Sequence, residues 1–442
     1  MYSAWSIAVV DRFALESHIR IHLLQNYLQQ ENTNRSGYKP SRGFTIHYFV
    51  EIAPKEVVRT SVLSSKWRRL WTVCPKLRFD GTAMSSKKMD GKRCKLQYTR
   101  QFINTVNAVL QQYHGRAVEE LAIKFEFDTL LVDHLNNWVG FAASSYTKFL
   151  ALDLIPRGLE AFDDPQYIFP LQLFDRRSIY YLQQVHLRFV SAKLPTQFSG
   201  FPKLQKLDLH KVKITAKDFQ DMLSNCCALE WVSIVFCKMD GELKVHSPLP
   251  YLVHLSVEFC ELTKMELCAV KLRTFVYKGS AVPIKFREVS ELENAKILLC
   301  GVTFGDVIPA LANVLTSVQN LTLNFFVHPP KVPCLMENRC EFSHLKHLQL
   351  LLSYKLDIDN LSLVPFLGSA PFIEKLDIHF SSIFGFFYLE GESIRRFEHR
   401  HNYLKDMCIT GFKASNGQVE FLAHIVLNTP SLEVLIETNV IE

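Results

Sequence analysis

Two short stretches of this 442-residue chain carry residue types that do chemistry. Glu398-His399-Arg400-His401 would place both imidazoles on one face of a strand, and imidazole is a common zinc ligand. No third ligand lies nearby in sequence, so the stretch reads better as a solvated linker than as a metal site. Asp133-His134 joins a carboxylate to a base, the parts of an acid–base pair. Adjacent residues point apart on a helix or a strand, so a surface loop is the expectation. Eleven cysteines include no C-x-x-C spacing. No P-loop, G-x-G-x-x-G, G-x-S-x-G or H-E-x-x-H sequence occurs. The expectation is a binding protein with no catalytic residue, no cofactor and no metal.

The elements that would carry a binding surface show in the hydrophobic pattern. Apolar-x-x-apolar-x-apolar recurs at Val118/Leu121/Ile123, Leu182/Val185/Leu187, Leu204/Leu207/Leu209, Leu229/Val232/Ile234 and Leu252/Leu255/Val257. It continues through Leu272/Phe275/Tyr277, Leu292/Ala295/Ile297, Val318/Leu321/Leu323, Leu345/Leu348/Leu350, Ile373/Leu376/Ile378 and Leu404/Met407/Ile409. Most units start some 20–35 residues apart, the period of leucine-rich repeats. No single unit buries its own face, so neighbours must stack. The predicted fold is α/β: a leucine-rich-repeat solenoid with parallel strands on its concave side.

Three units extend the pattern to a cysteine: Cys237, Cys260 and Cys300. One small thiol per repeat, at one phase, suits a residue that turns inward after its strand, and a structural ladder is preferred to a redox or metal cluster. Cys226-Cys227 reads as a helix end. Phe219, Met222 and Leu223 predict a helix over 216–225, and 305–315 behaves alike. Residues 242–251, with two prolines, read as irregular. Phe102, Ile103, Val106, Val109 and Leu110 predict a helix over 100–114. At the C-terminus, 418–428 reads as a capping helix with Val419, Leu422, Ala423, Val426 and Leu427 inward.

Residues 54–80 contain two tryptophans, Trp67 and Trp71, on a helical apolar stripe with Val58, Val62, Leu63 and Leu70, and a basic face of Lys66, Arg68 and Arg69. This run resembles the second half of an F-box in the plant F-box/LRR/FBD family, close to P-x-K-E-x-V-R-T-S-V-L-S-x-x-W-R-x-L-W followed by P-x-L-x-F-D. Trp138 to Leu154 and Tyr403 to Leu435 resemble that family's later segments, so the likeness covers about 54–442. The family's opening L-P-D helix has no counterpart in residues 1–53. The resemblance implies a substrate-recognition subunit of a Skp–cullin–F-box ubiquitin ligase. Pro54, Val57, Val58, Val62, Leu63, Trp67, Leu70 and Trp71 would then grip the Skp-type adaptor, and through it a cullin–RING ligase, while the repeats bind a target protein. The alternative is an LRR scaffold that no longer binds the adaptor.

The implied organisation is a divergent segment (1–50), a partial helical F-box (51–80), the solenoid (81–390) and an FBD-like cap (391–442). A net charge of +6 is mild for this length. The basic cluster of Lys87, Lys88, Lys92, Arg93 and Lys95 reads as a solvated loop in preference to a nuclear signal, and the charge makes only a weak case for nucleic acid. The absence of a signal peptide and of long apolar runs, with unpaired thiols, points to the cytoplasm or nucleus and to no membrane partner.

Overall fold

The computed structural model describes residues 75–81, 92–115, 117–156, 165–195, 198, 200–300, 315–327, 342–354, 363–382 and 399–438. In chain order the strands are β1 (Lys76–Asp80), β2 (Glu120–Lys124), β3 (Phe149–Asp153), β4 (Tyr167–Phe169), β5 (Gln184–Arg188), β6 (Val190–Ala192) and β7 (Lys206–His210). Then come β8 (Trp231–Val235), β9 (Glu242–Val245), β10 (His254–Glu258), β11 (Lys264–Cys268), β12 (Thr274–Ser280) and β13 (Ile284–Arg287). The last are β14 (Asn294–Cys300), β15 (Asn320–Val327), β16 (His347–Tyr354), β17 (Lys375–Ser382), β18 (Asp406–Thr410) and β19 (Val434–Thr438). The helices are α1 (Lys92–Gln111), α2 (Val132–Ser144), α3 (Arg176–Tyr181), α4 (Ala216–Ser224), α5 (Leu363–Gly368) and α6 (Asn416–Asn428).

Fourteen strands form one sheet in the order β1-β2-β3-β5-β7-β8-β10-β12-β14-β15-β16-β17-β18-β19, with every neighbour parallel. The apolar repeat sets its register. Leu121, Leu150, Val185, Leu207, Val232, Leu255, Phe275, Ala295, Leu321, Leu348, Leu376 and Met407 stand opposite one another strand after strand. None of them is more than 4% exposed. A slip of one residue would turn this whole row to solvent, so burial fixes the pairing.

The backbone adds a second lock. One carbonyl ahead of each strand accepts two N–H groups from the next repeat. Lys148 O accepts from Gln183 N at 2.8 Å and Gln184 N at 3.0 Å, and Gln183 O accepts from Gln205 N at 2.8 Å and Lys206 N at 3.1 Å. The pattern runs from Pro75 to Lys405. It satisfies polar groups that the turn into each strand would otherwise bury unpaired.

Strands β5, β7, β8 and β10 are followed by Phe189, Lys211, Phe236 and Phe259, whose φ angles of 59°, 55°, 51° and 51° lie in the left-handed region. That step turns the next residue inward: Val190, Val212 and Cys237 are buried, and Cys260 is partly so. Cys300 is placed differently. Strands β12 and β14 stay paired two residues longer, so Cys300 still lies in β14, opposite Ser280, on the face away from the buried Ala295, Ile297 and Leu299; it does not belong to the inward cysteine ladder.

The other side of the solenoid mixes helices with short strands. In α4, Phe219, Met222 and Leu223 are buried as their spacing predicts, and Thr215 Oγ1 caps the helix by accepting from Asp218 N at 3.0 Å. Four expectations need correction. Asp133-His134 is not a surface loop: it opens α2, because Leu135, Trp138, Val139 and Ala142 form a fully buried helical stripe. Residues 242–251 begin as β9, which pairs with β11 and thereby gains main-chain partners that its own sequence does not signal. Lys92, Arg93 and Lys95 belong to the first turn of α1 rather than to a loop. In α6 the inward residues are Gln418, Phe421 and Ile425, while Val419, Val426 and Leu427 are exposed. The helix is rotated because Gln418 Oε1 reaches back to accept from Lys413 N at 2.8 Å. Residues 305–314 lie outside the described residues.

Gly411 closes the turn after β18 with φ +67°, and a Cβ there would meet Phe380 O at 2.0 Å. Gly411→Ala is therefore expected to cost at least about 2 kcal/mol from left-handed strain and a backbone clash together. Urea unfolding would read this as a lower midpoint with little change in slope. An unchanged midpoint would show that the turn can relax.

Candidate interaction surface

Alternation along each strand sends every second residue to the concave face. Across β7, β8 and β10 the first outward position holds Lys206, Trp231 and His254 in register. Lys206 Nζ sits 4.2 Å from the centre of the Trp231 ring, and the His254 ring stacks on Trp231 at 5.1 Å and 8°. Burial, and then the charge of Lys206, hold the His254 imidazole below its ordinary pKa. It is thus a neutral stacking partner near pH 7. The next outward residues, Ser233 and Ser256, are small and buried between their neighbours. At the far end Phe236 and Phe259 stack at 5.0 Å and 14°. Trp231 and Phe236 are separated by about 16 Å, from a rise of ~3.3 Å per residue. Two aromatic pairs thus bracket a floor of Ser233, Ser256, Val235 and Glu258. Partly exposed aromatics are the usual material of interface anchors.

Charges on this face largely answer one another. Arg188 lies between Asp153 at 3.6 Å and Asp208 at 3.9 Å, and Lys278 pairs with Glu258 at 2.8 Å. Being partly exposed, such pairs contribute more to partner selection than to stability. Nearer the C-terminus a hollow of about 480 Å³ is lined by Gln349, Asp377, His379, Asp406, Cys408 and Thr410 among others. On its floor Asp377 Oδ2 accepts from His347 Nε2 at 2.6 Å, with Lys375 Nζ at 3.5 Å.

His399 and His401 are not on a solvated linker. His401 is 2% exposed, and a third imidazole, His424 of α6, packs beside it. Ring centres lie 5.0 Å apart for His399–His401 and 6.1 Å for His401–His424. The Nε2 atoms of all three are buried without a hydrogen-bond partner. Among the described residues, no group of three or more His, Cys, Asp or Glu is arranged to hold a metal ion. Burial above all lowers the three pKa values, His401 to about 4.

The F-box-like residues Pro54, Val57, Val58, Val62, Leu63, Trp67, Leu70 and Trp71 lie outside the described residues. Cys237 is buried, Cys260 and Cys300 partly so. The Trp231/His254 and Phe236/Phe259 pairs escaped sequence reading, although the repeat phase marks them. Trp231 immediately precedes the inward Val232 and must face out.

A fourteen-stranded parallel sheet to which each repeat contributes one strand, with buried leucines at a fixed phase and an open strand face, defines the leucine-rich-repeat class of fold. The family model described as "At1g61320/AtMIF1, LRR domain" matches residues 109–440, and the chain belongs to that family. Among curated proteins it is 24% identical over 390 residues to the F-box/FBD/LRR-repeat protein At1g13570 of Arabidopsis thaliana, covering 86% of this chain and 85% of that protein. It is 26% identical over 262 residues to the putative F-box/LRR-repeat protein At5g02930 of the same plant, covering 57% of this chain and 49% of that protein. With the putative F-box/FBD/LRR-repeat protein At5g62970, also of Arabidopsis thaliana, it shares 24% identity over 315 residues, 66% of this chain and 67% of that protein. The plant F-box/LRR resemblance read from the motifs is supported by these relatives. No helix among the described residues is long and apolar enough to cross a membrane.

Proposed function

We propose that this protein is the target-recognition subunit of a Skp–cullin–F-box ubiquitin ligase, working by binding and not by catalysis. In this reading residues 51–80 hold the adaptor, the solenoid presents its concave face to a target protein, and 391–442 close the C-terminal end. The observation that carries the recognition half is the aromatic-bracketed surface at Trp231, His254, Phe236 and Phe259. The adaptor half is supported by relatives named as F-box proteins and by the tryptophan-bearing run 54–71.

Co-purification of the full chain with a Skp-type adaptor tests it. The unmutated chain should retain the adaptor, and Trp67→Ala should weaken binding by about 2 kcal/mol or more, the usual cost of losing a central aromatic anchor. No adaptor recovered with the unmutated chain would leave the scaffold reading, in which the repeats bind a partner without delivering it to a ligase.

A further inference from the structure

We propose that Cys237 and Cys260 form a redox-modification site, in which a peroxide joins the two thiols as a disulfide between neighbouring repeats. Strands β8 and β10 stay in register to Val235 and Glu258. Both chains then make the same left-handed step, at Phe236 and Phe259, each with φ 51°. Phe236 N donates to Glu258 O at 2.8 Å across that step, and the two rings stack. The next residues, Cys237 and Cys260, therefore lie one above the other at about the inter-strand spacing of ~4.8 Å. That spacing falls inside the roughly 4.4–6.8 Å Cα separation a disulfide spans. The sulfurs point to the same side: Cys237 Sγ donates to Leu209 O and Cys260 Sγ to Ile234 O, each at 3.5 Å.

The two thiols differ in the way the chemistry needs. The neighbouring Cys237 side chain holds the Cys260 thiol below its ordinary value, while burial pushes Cys237 well above it. Cys260 is also the more accessible of the pair. It is the attacking sulfur and Cys237 the resolving one. The Cys260 thiolate takes one peroxide oxygen as the O–O bond breaks, giving a sulfenic acid and releasing hydroxide. Cys237 sulfur then displaces that oxygen, which leaves as water with the Cys237 thiol proton. Two electrons pass from the sulfur pair to the peroxide. The product staples two repeats directly beneath the Phe236/Phe259 pair.

The test is limited hydrogen peroxide on the native full chain, followed by alkylation after unfolding and peptide mass mapping. The exposed Cys227 is an internal reference. The expected result is a linked Cys237–Cys260 peptide, two hydrogens lighter than its reduced parts. It should appear while Cys227 is still alkylated as free thiol, and dithiothreitol should reverse it. In Cys237→Ser, Cys260 should instead stop at a sulfenic acid trapped by dimedone. Cys227 oxidised first, or Cys237 and Cys260 both still free when Cys227 is consumed, would overturn the proposal. The unmutated chain decides this, so a poorly folding variant leaves the test intact.

Discussion

Between pH 6.5 and pH 4 the C-terminal end of the solenoid is expected to lose about 3 kcal/mol of stability through His401 alone. The sign follows from where the proton goes. His401 titrates near 6.5 in the unfolded chain and near 4 in the folded one, because it is buried beside His399 and His424. Below pH 6.5 the unfolded state binds a proton that the folded state refuses, so acid favours unfolding. Below about 4 both states are protonated and the loss is complete. No acidic group is among the causes that shift these three imidazoles. His399 and His424 act in the same direction but are more exposed, so water screens much of their share. Urea unfolding at pH 7, 6 and 5 would check it, since few carboxylates titrate there. His401→Phe should flatten the pH slope in that window. An equal slope in both proteins would place the acid sensitivity elsewhere.

Trp138→Ala should be among the most damaging substitutions, at about 3–5 kcal/mol. The ring is 1% exposed, meets Phe102 edge-on at 6.0 Å, and donates from Nε1 to Asn107 Oδ1 at 2.8 Å. Its removal empties the seam between α1 and α2 and leaves Asn107 without its donor. Trp138→Phe separates the two effects, since it restores most of the packing but not the hydrogen bond, and should cost about 1–3 kcal/mol. Thermal unfolding of both variants distinguishes them. If Phe and Ala are equally harmful, the polar contact and not the ring holds these helices together.

The repeat was legible in the sequence because one physical demand, burial of the row from Leu121 to Met407, acts at every unit. Features needing two distant partners were not. Nothing near His399 and His401 announces His424, and β9 depends on β11 some twenty residues away. The inward face of α6 was misjudged by counting apolar residues. Gln418 turns inward because a backbone N–H at Lys413 needs its oxygen, and that rotates Leu427 to 83% exposure. The strand lengths were hidden too: a cysteine at one sequence phase points inward after a left-handed step, as Cys260 does, but lies on the other face when its strand continues, as at Cys300. The concave aromatic pairs were recoverable from phase, but only once the inward positions were known.

The carbonyls from Pro75 to Lys405, each holding two N–H groups of the next repeat, also determine how the chain would answer a pull. These bonds run along the stacking direction, from one repeat to the next. Tension applied at the two ends therefore loads the interfaces in series, every one bearing the same force. Such a chain behaves as a string of similar clasps: it yields at its weakest interface, lengthens by one repeat, and holds again at the next.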